Sequence, residues 1–319
     1  MNSISKLFGV ALAALIGLSF AACGDGAGSS EPVDVVYVAG YIGHAAALWK
    51  DGEPQTLTGL SGNSAAFGIA VSGSSVYVAG CNNGNTAAYW KDGVLQTLNG
   101  AVPGNSWANA IAVSGSDVYV AGNNNDTAAY WVNGALQTPA DATPNNSSAI
   151  AIAVSGSDVY VAGWNSGGAA YWKNGSPQTL NGLEGSSYAR AITVSGDDVY
   201  VAGWNYADAA YWKNGALQTL NVVGNSAAYG IAVSGLTVYV AGNDDGYTAV
   251  YWVNGVSKPL ADAANGNSWA NAIAVSGSNV YVAGMKNGGS AALWINGVSR
   301  SLAGLIGGSE AMGIAVVRE

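Results

Sequence analysis

The sequence predicts an all-β fold, a seven-bladed β-propeller whose blades are four-stranded and antiparallel. Three observations point to it. A Val-Tyr-Val-Ala-Gly segment recurs seven times, beginning at Val36, Val76, Val118, Val159, Val199, Val238 and Val280, with spacings of 40, 42, 41, 40, 39 and 42 residues. Each unit has tight-turn signals between short apolar runs. The two chain ends carry complementary fragments of a unit.

Residues 68–98, GIAVSGSSVYVAGCNNGNTAAYWKDGVLQTL, form one full unit with four strand candidates: GIAV, VYVAG, AAYW and VLQTL. Ser72-Gly73-Ser74-Ser75 is a tight link from the first to the second. Lys91-Asp92-Gly93 links the third to the fourth and becomes Lys-Asn-Gly or Val-Asn-Gly elsewhere. Asp-Gly and Asn-Gly favour positive φ and close two-residue hairpins, so each unit is an antiparallel meander. The strands are apolar or small on both faces, as in a sheet sandwiched between others. Four strands in about 40 residues match a propeller blade. A β-helix pairs its strands in parallel between coils, and a hairpin inside every unit does not fit it.

The ends specify a ring. The chain enters its first unit at a second strand, VDVVYVAG, and ends after a first strand, GIAVV. Pairing of 313–317 with 35–40 completes one blade, brings the count to seven, and removes the exposed edges of an open array.

Half of the 319 residues are apolar, 9% are charged, and Gly (46) far outnumbers Pro (7). This composition argues against disorder and for short strands joined by turns. The net charge of −9 opposes contact with phosphate backbones, so nucleic acid is not an expected partner.

Residues 1–22 read as a signal peptide. Lys6 supplies the positive start, and Leu7 to Phe20 form an apolar stretch too short for a membrane span. Phe20-Ala21-Ala22-Cys23 resembles a bacterial lipoprotein signal, in which Cys23 carries lipid and becomes the first residue. Ordinary cleavage at the small residues is the alternative. Residues 23–33 then form the lipidation site and a flexible tether, and 34–319 the propeller. The expected location is exported and membrane-anchored, in the periplasm or at the cell surface, with soluble secretion as the alternative. Cys81 has no partner if Cys23 is lipidated, so no disulfide framework is expected.

GHAAALWKDGEPQTLTGLSGNSAAFGIAVSG, residues 43–73, resembles the extracellular HAF-type repeat. That repeat runs His-Ala-Phe-Leu-Trp, a Gly turn, Gly-rich residues, then Ser-x-Ala and an Ile strand. The later units are similar to spirochaete repeat lipoproteins with a YWK-x-G core. The resemblance covers essentially the whole mature chain. It implies secretion and repeat architecture and brings no catalytic residue.

The residues offer little for catalysis. His44 is the only His available to a Ser/His/Asp or Cys/His site, and it reads as a solvated loop residue inherited from the repeat; no His/Cys set has metal spacing. Most carboxylates fall in turns. Asp244-Asp245-Gly246 lacks the alternating acids of a calcium loop. Glu310 is the only acid on a segment expected to approach the central channel. The Gly-rich runs precede no helix and match no phosphate loop. No cofactor, metal or enzymatic activity is expected.

Seven tryptophans recur once per unit: Trp49, Trp90, Trp131, Trp172, Trp212, Trp252 and Trp294. One per blade at one register implies blade-to-blade packing. Trp107, Trp164, Trp204 and Trp269 do not recur. They are expected in the longer links on one face of the ring, and the identical runs at 104–116 and 266–278 account for two of them as duplication. Trp107, Trp164, Tyr188, Arg190, Trp204 and Tyr206, from the third to fifth blades, are the candidate ligand-binding residues. Flat rings beside Arg and Asn suit a sugar. Two readings follow: a non-catalytic binding module, for carbohydrate, or a structural or protein-interaction domain of the envelope whose loop-face rings only cover the core. The chain is expected to be a monomer that meets a glycan or an envelope or host protein, and the membrane through its N-terminal lipid.

Overall fold

The computed structural model describes residues 32–206, 208–263, 267–305 and 308–319. The signal peptide, Cys23 and most of the tether lie outside them. Among the described residues there are twenty-eight strands, in seven antiparallel four-stranded sheets arranged as a ring. Blade 1 is built from Ser309–Arg318, Asp34–Ile42, Ala45–Lys50 and Glu53–Gln55, so the C-terminal strand closes the ring beside the N-terminal one. The register runs Val35↔Val317 to Ala39↔Gly313, as expected, and continues past a bulge to Ile42↔Ser309. Blades 2 to 7 follow in chain order. The innermost strands of successive blades pack side by side, including Ser309–Arg318 between Trp269–Ser276 and Ala65–Ser72.

Three side-chain devices repeat seven times. Each third-strand Trp is fully buried and donates its Nε1–H to the preceding blade's link: Trp49 to Ala303 O, Trp212 to Asn181 O, Trp172 to the Asp141 carboxylate. The expected blade-to-blade role is therefore joined to a hydrogen bond that satisfies the buried ring. A buried Ser at the start of each inner strand accepts the third-strand amide of the preceding blade, as Ser187 does from Ala169 and Ser309 from Ala291. The Asn or Asp of each outer hairpin adopts positive φ, and its side chain accepts the amide that opens the second strand, as Asn214 does from Val199.

Fourth strands are three or four residues long, shorter than the VLQTL run predicts. They are the outer edges, and Pro54, Pro177 and Pro259 lie in three of them. Proline cannot donate to a ladder and blunts an exposed edge.

The first and second strands run further than expected. Trp107, Trp164, Trp204 and Trp269 lie in strands, not in links, and Cys81 lies inside the strand Ser75–Asn82. The Gly of each Val-Tyr-Val-Ala-Gly explains the extension. A Cβ at Gly203 would overlap the carbonyl oxygen of Tyr188, and the same holds at the other six blades. Only glycine admits the bulged inner strand, and with the bulge accommodated the ladder continues beyond it.

Candidate functional site on the loop face

Every inner strand carries its bulge at the same place: between Ala66 and Gly68 in blade 2, Ala189 and Ala191 in blade 5, Ala228 and Gly230 in blade 6. The bulged residue stands off the ladder and turns toward the ring axis. Seven blades thus contribute Phe67, Asn109, Ile150, Arg190, Tyr229, Asn271 and Met312, and these seven line one cavity of about 260 Å³. The preceding alanines, such as Ala66, Ala108 and Ala189, are completely buried between sheets. One residue past the bulge, adjacent inner strands nearly touch: a Cβ on Gly68 would lie 2.8 Å from Ala110 Cα.

Two residues before each bulge lies a rim position, paired across the ladder with the residue after the second-strand Gly. Some pairs set a large residue against a small or polar one, as Trp107↔Asn123 and Ser148↔Trp164 do, and Ala227↔Asn243 has no large residue. Blade 5 has two large residues, Tyr188↔Trp204. Their rings lie 4.8 Å apart, and they extend into a row with Trp164 on one side (5.9 Å from Tyr188) and Tyr229 on the other (6.3 Å from Trp204). Arg190 lies over Trp204, its guanidinium carbon 5.0 Å from the ring centroid. Such a contact is worth ~0.5–2 kcal/mol.

Of the predicted residues, Trp164, Tyr188, Arg190 and Trp204 come together. Tyr206 is at the tip of a link, 72% exposed, with positive φ and its ring against Gly185. Gly185, Trp164 and Tyr188 line a second hollow of about 250 Å³ between blades 4 and 5, with Asn146, Asn165 and Ser186. Trp107 stands at the rim of blade 3 and makes no ring contact with the row among the described residues. Trp269 pairs instead with Tyr247, at 5.6 Å.

Glu310 does reach the channel side. Its two oxygens accept from the Tyr41 hydroxyl at 2.7 Å and Asn271 Nδ2 at 2.8 Å. Burial, and then the Glu310 carboxylate, push the Tyr41 hydroxyl well above the usual phenol range. Burial also raises Tyr229 and lowers Arg190. Asn109 and Asn271 donate Nδ2 to the carbonyls of Ala149 and Ala311. Asp244 serves a turn: its Oδ1 accepts from the amides of Val223 and Asp245. His44 is exposed, in the turn after Asp34–Ile42.

Phe67, Asn109, Ile150, Tyr229, Asn271 and Met312 are absent from the sequence-based candidate set. A signal for them exists in the chain itself. Aligning the seven units on Ala-x-[Ala/Gly]-Ile shows one variable position flanked by near-constant small residues. Aromatic content draws attention to the rim instead, because a bulge is invisible to an alternation pattern.

No family model and no curated protein matches this chain. Among solved structures it is similar to the computationally designed Ika8 protein, with a TM-score of 0.46 and 20% identity over 76% of this chain and 75% of that one. Apo AztD from Citrobacter koseri aligns with a TM-score of 0.41 and 10% identity, covering 90% of this chain and 98% of that one. An exo-1,5-α-L-arabinanase from a bovine ruminal metagenomic library aligns with a TM-score of 0.35 and 14% identity, covering 81% and 94%.

Proposed function

We propose that the chain is an exported, lipid-anchored, HAF-type repeat protein that binds a carbohydrate, without catalysis, on the loop face of its propeller. One observation carries this reading. In a chain of near-identical blades, the inner-strand position that varies from blade to blade converges on one cavity. A purely structural ring needs no such variety, since neutral apolar residues fill the position in blades 1, 2 and 4. At about 260 Å³ the cavity lies just below the range of ligand sites, roughly 300–1,000 Å³. It adjoins the Trp164–Tyr188–Trp204 row, whose flat faces suit a sugar ring, and the polar hollow beyond it offers room for a second unit. The non-catalytic reading is supported by Glu310, whose two oxygens are already engaged.

Alanine at both Trp164 and Trp204 is expected to weaken binding on a glycan array at least tenfold while leaving the circular dichroism spectrum unchanged. Both rings lie at the rim and are only partly buried. A folded double variant that binds as the wild type does would place the site elsewhere; an array with no signal for the wild type favours the envelope interaction domain. The anchoring part of the proposal predicts a lipid-modified N-terminal Cys23 by mass spectrometry of protein from its native host. A mature chain starting at another residue, or an unmodified Cys23, would exclude it.

A further inference from the structure

We infer that the central cavity takes a ligand bearing a single carboxylate, which Arg190 receives; this rests on the binding-module reading of the same cavity. Arg190 is the only charged residue among the seven that line it. Among the described residues it forms no salt bridge and no hydrogen bond, and its Nε is buried without a partner. Its surroundings are Trp204 below and Tyr188 and Tyr229 beside it. Burial draws its pKa down and no carboxylate acts against that shift, yet a guanidinium remains charged in a protein. Arg190 as a whole is half-buried with its Nε fully enclosed, and an unpaired charge held partly out of water is a cost to the fold.

The fold does not demand that charge. The same bulge position holds Phe67, Ile150 and Met312 in other blades. A cation kept where the backbone accepts an apolar residue points to a partner that arrives from outside. With its guanidinium carbon over the Trp204 ring, Arg190 keeps the planar fork of donors that pairs with a carboxylate through two hydrogen bonds. One cation matches one negative charge. Glu310 of blade 1, tied down by Tyr41 of the same blade and Asn271 of blade 7, disfavours a second anionic group near its end of the cavity. Asn109 and Asn271 commit their Nδ2 groups to backbone carbonyls and leave their amide oxygens to accept from ligand hydroxyls. An acidic monosaccharide unit combines these features.

The test is calorimetric titration of the mature protein with glucuronate, galacturonate and N-acetylneuraminate, against glucose, galactose and inorganic phosphate. At least one acidic sugar should bind, with its neutral counterpart and phosphate at least tenfold weaker. Arg190→Met should remove that binding and raise the melting temperature by a few degrees, because an unpaired charge gives way to an apolar side chain of similar length. Arg190→Lys should retain part of the affinity. Equal binding of acidic and neutral sugars, unchanged by Arg190→Met, would overturn the carboxylate inference and leave the cavity reading intact. Phosphate binding as tightly as the acids would overturn the single-charge match. A lowered melting temperature for Arg190→Met would make Arg190 a packing residue for Trp204 and also refute the inference. Titrations in which no sugar of either set binds would remove the carbohydrate reading together with it.

Discussion

Deletion of residues 313–319 is expected to unfold the whole propeller, not to fray one blade. The segment supplies six register pairs to the N-terminal strand, from Asp34↔Arg318 to Ala39↔Gly313. At about 1 kcal/mol for each ladder hydrogen bond, the loss is ~6 kcal/mol before any burial is counted. Val35, Tyr37 and Ala39, which face the C-terminal strand across the ladder, would then be left with unpaired amides, although all three are buried in the intact ring. Ile314 and Val316 also leave the core shared by blades 7 and 1. Ordinary domains have ~5–15 kcal/mol in total, so the truncated chain should not fold stably at room temperature. Thermal and urea unfolding followed by circular dichroism measure this. A truncated protein that melts where the full chain does would be incompatible with closure through this strand.

Gly203→Ala is the point substitution with the largest expected effect. Its new Cβ would overlap the Tyr188 carbonyl oxygen and sit 2.9 Å from the carbonyl carbon, and both are backbone atoms that cannot rotate away. Either the bulge flattens or the strand Ser187–Ser195 moves, and each outcome turns Arg190 off the ring axis. The expected destabilisation is about 3 kcal/mol or more, at the upper end for overpacking. Gly196→Ala supplies the comparison. Gly196 sits in the opposite-face hairpin at φ 60° with nothing within 4 Å, so its cost is backbone strain alone, about 1–2 kcal/mol. Equal destabilisation by the two variants, or a Gly203→Ala protein with unchanged ligand affinity and stability, would remove the bulge from the account of the site.

The architecture was legible in the sequence for a physical reason. Every blade must solve the same problems: turn a hairpin, satisfy buried groups, and pack against two neighbours. The same residues therefore recur at the same spacing. Asn-Gly or Asp-Gly at each outer hairpin, one Trp per third strand, and complementary fragments at the chain ends sufficed for the strand order, the blade count and the place of closure. Turn residues and periodicity are local properties, and a ring of identical units makes local properties global.

The site was legible only in part. Trp164, Tyr188, Arg190 and Trp204 stand out by composition, and the structure gathers them. Whether Trp107 and Tyr206 belong with them depends on distances across blades that no spacing encodes: Tyr206 projects from a link, and Trp107 is on another wall. The cavity itself was decided by tertiary structure alone. A one-residue bulge, admitted because glycine lets a carbonyl approach its Cα, turns the inner strand's alternation by one place. That small shift carries Phe67, Asn109, Ile150, Arg190, Tyr229, Asn271 and Met312 to the ring axis. Residues about 40 positions apart along the chain thereby become neighbours around a single space, and Arg190 lies there with no acid paired to it among the described residues.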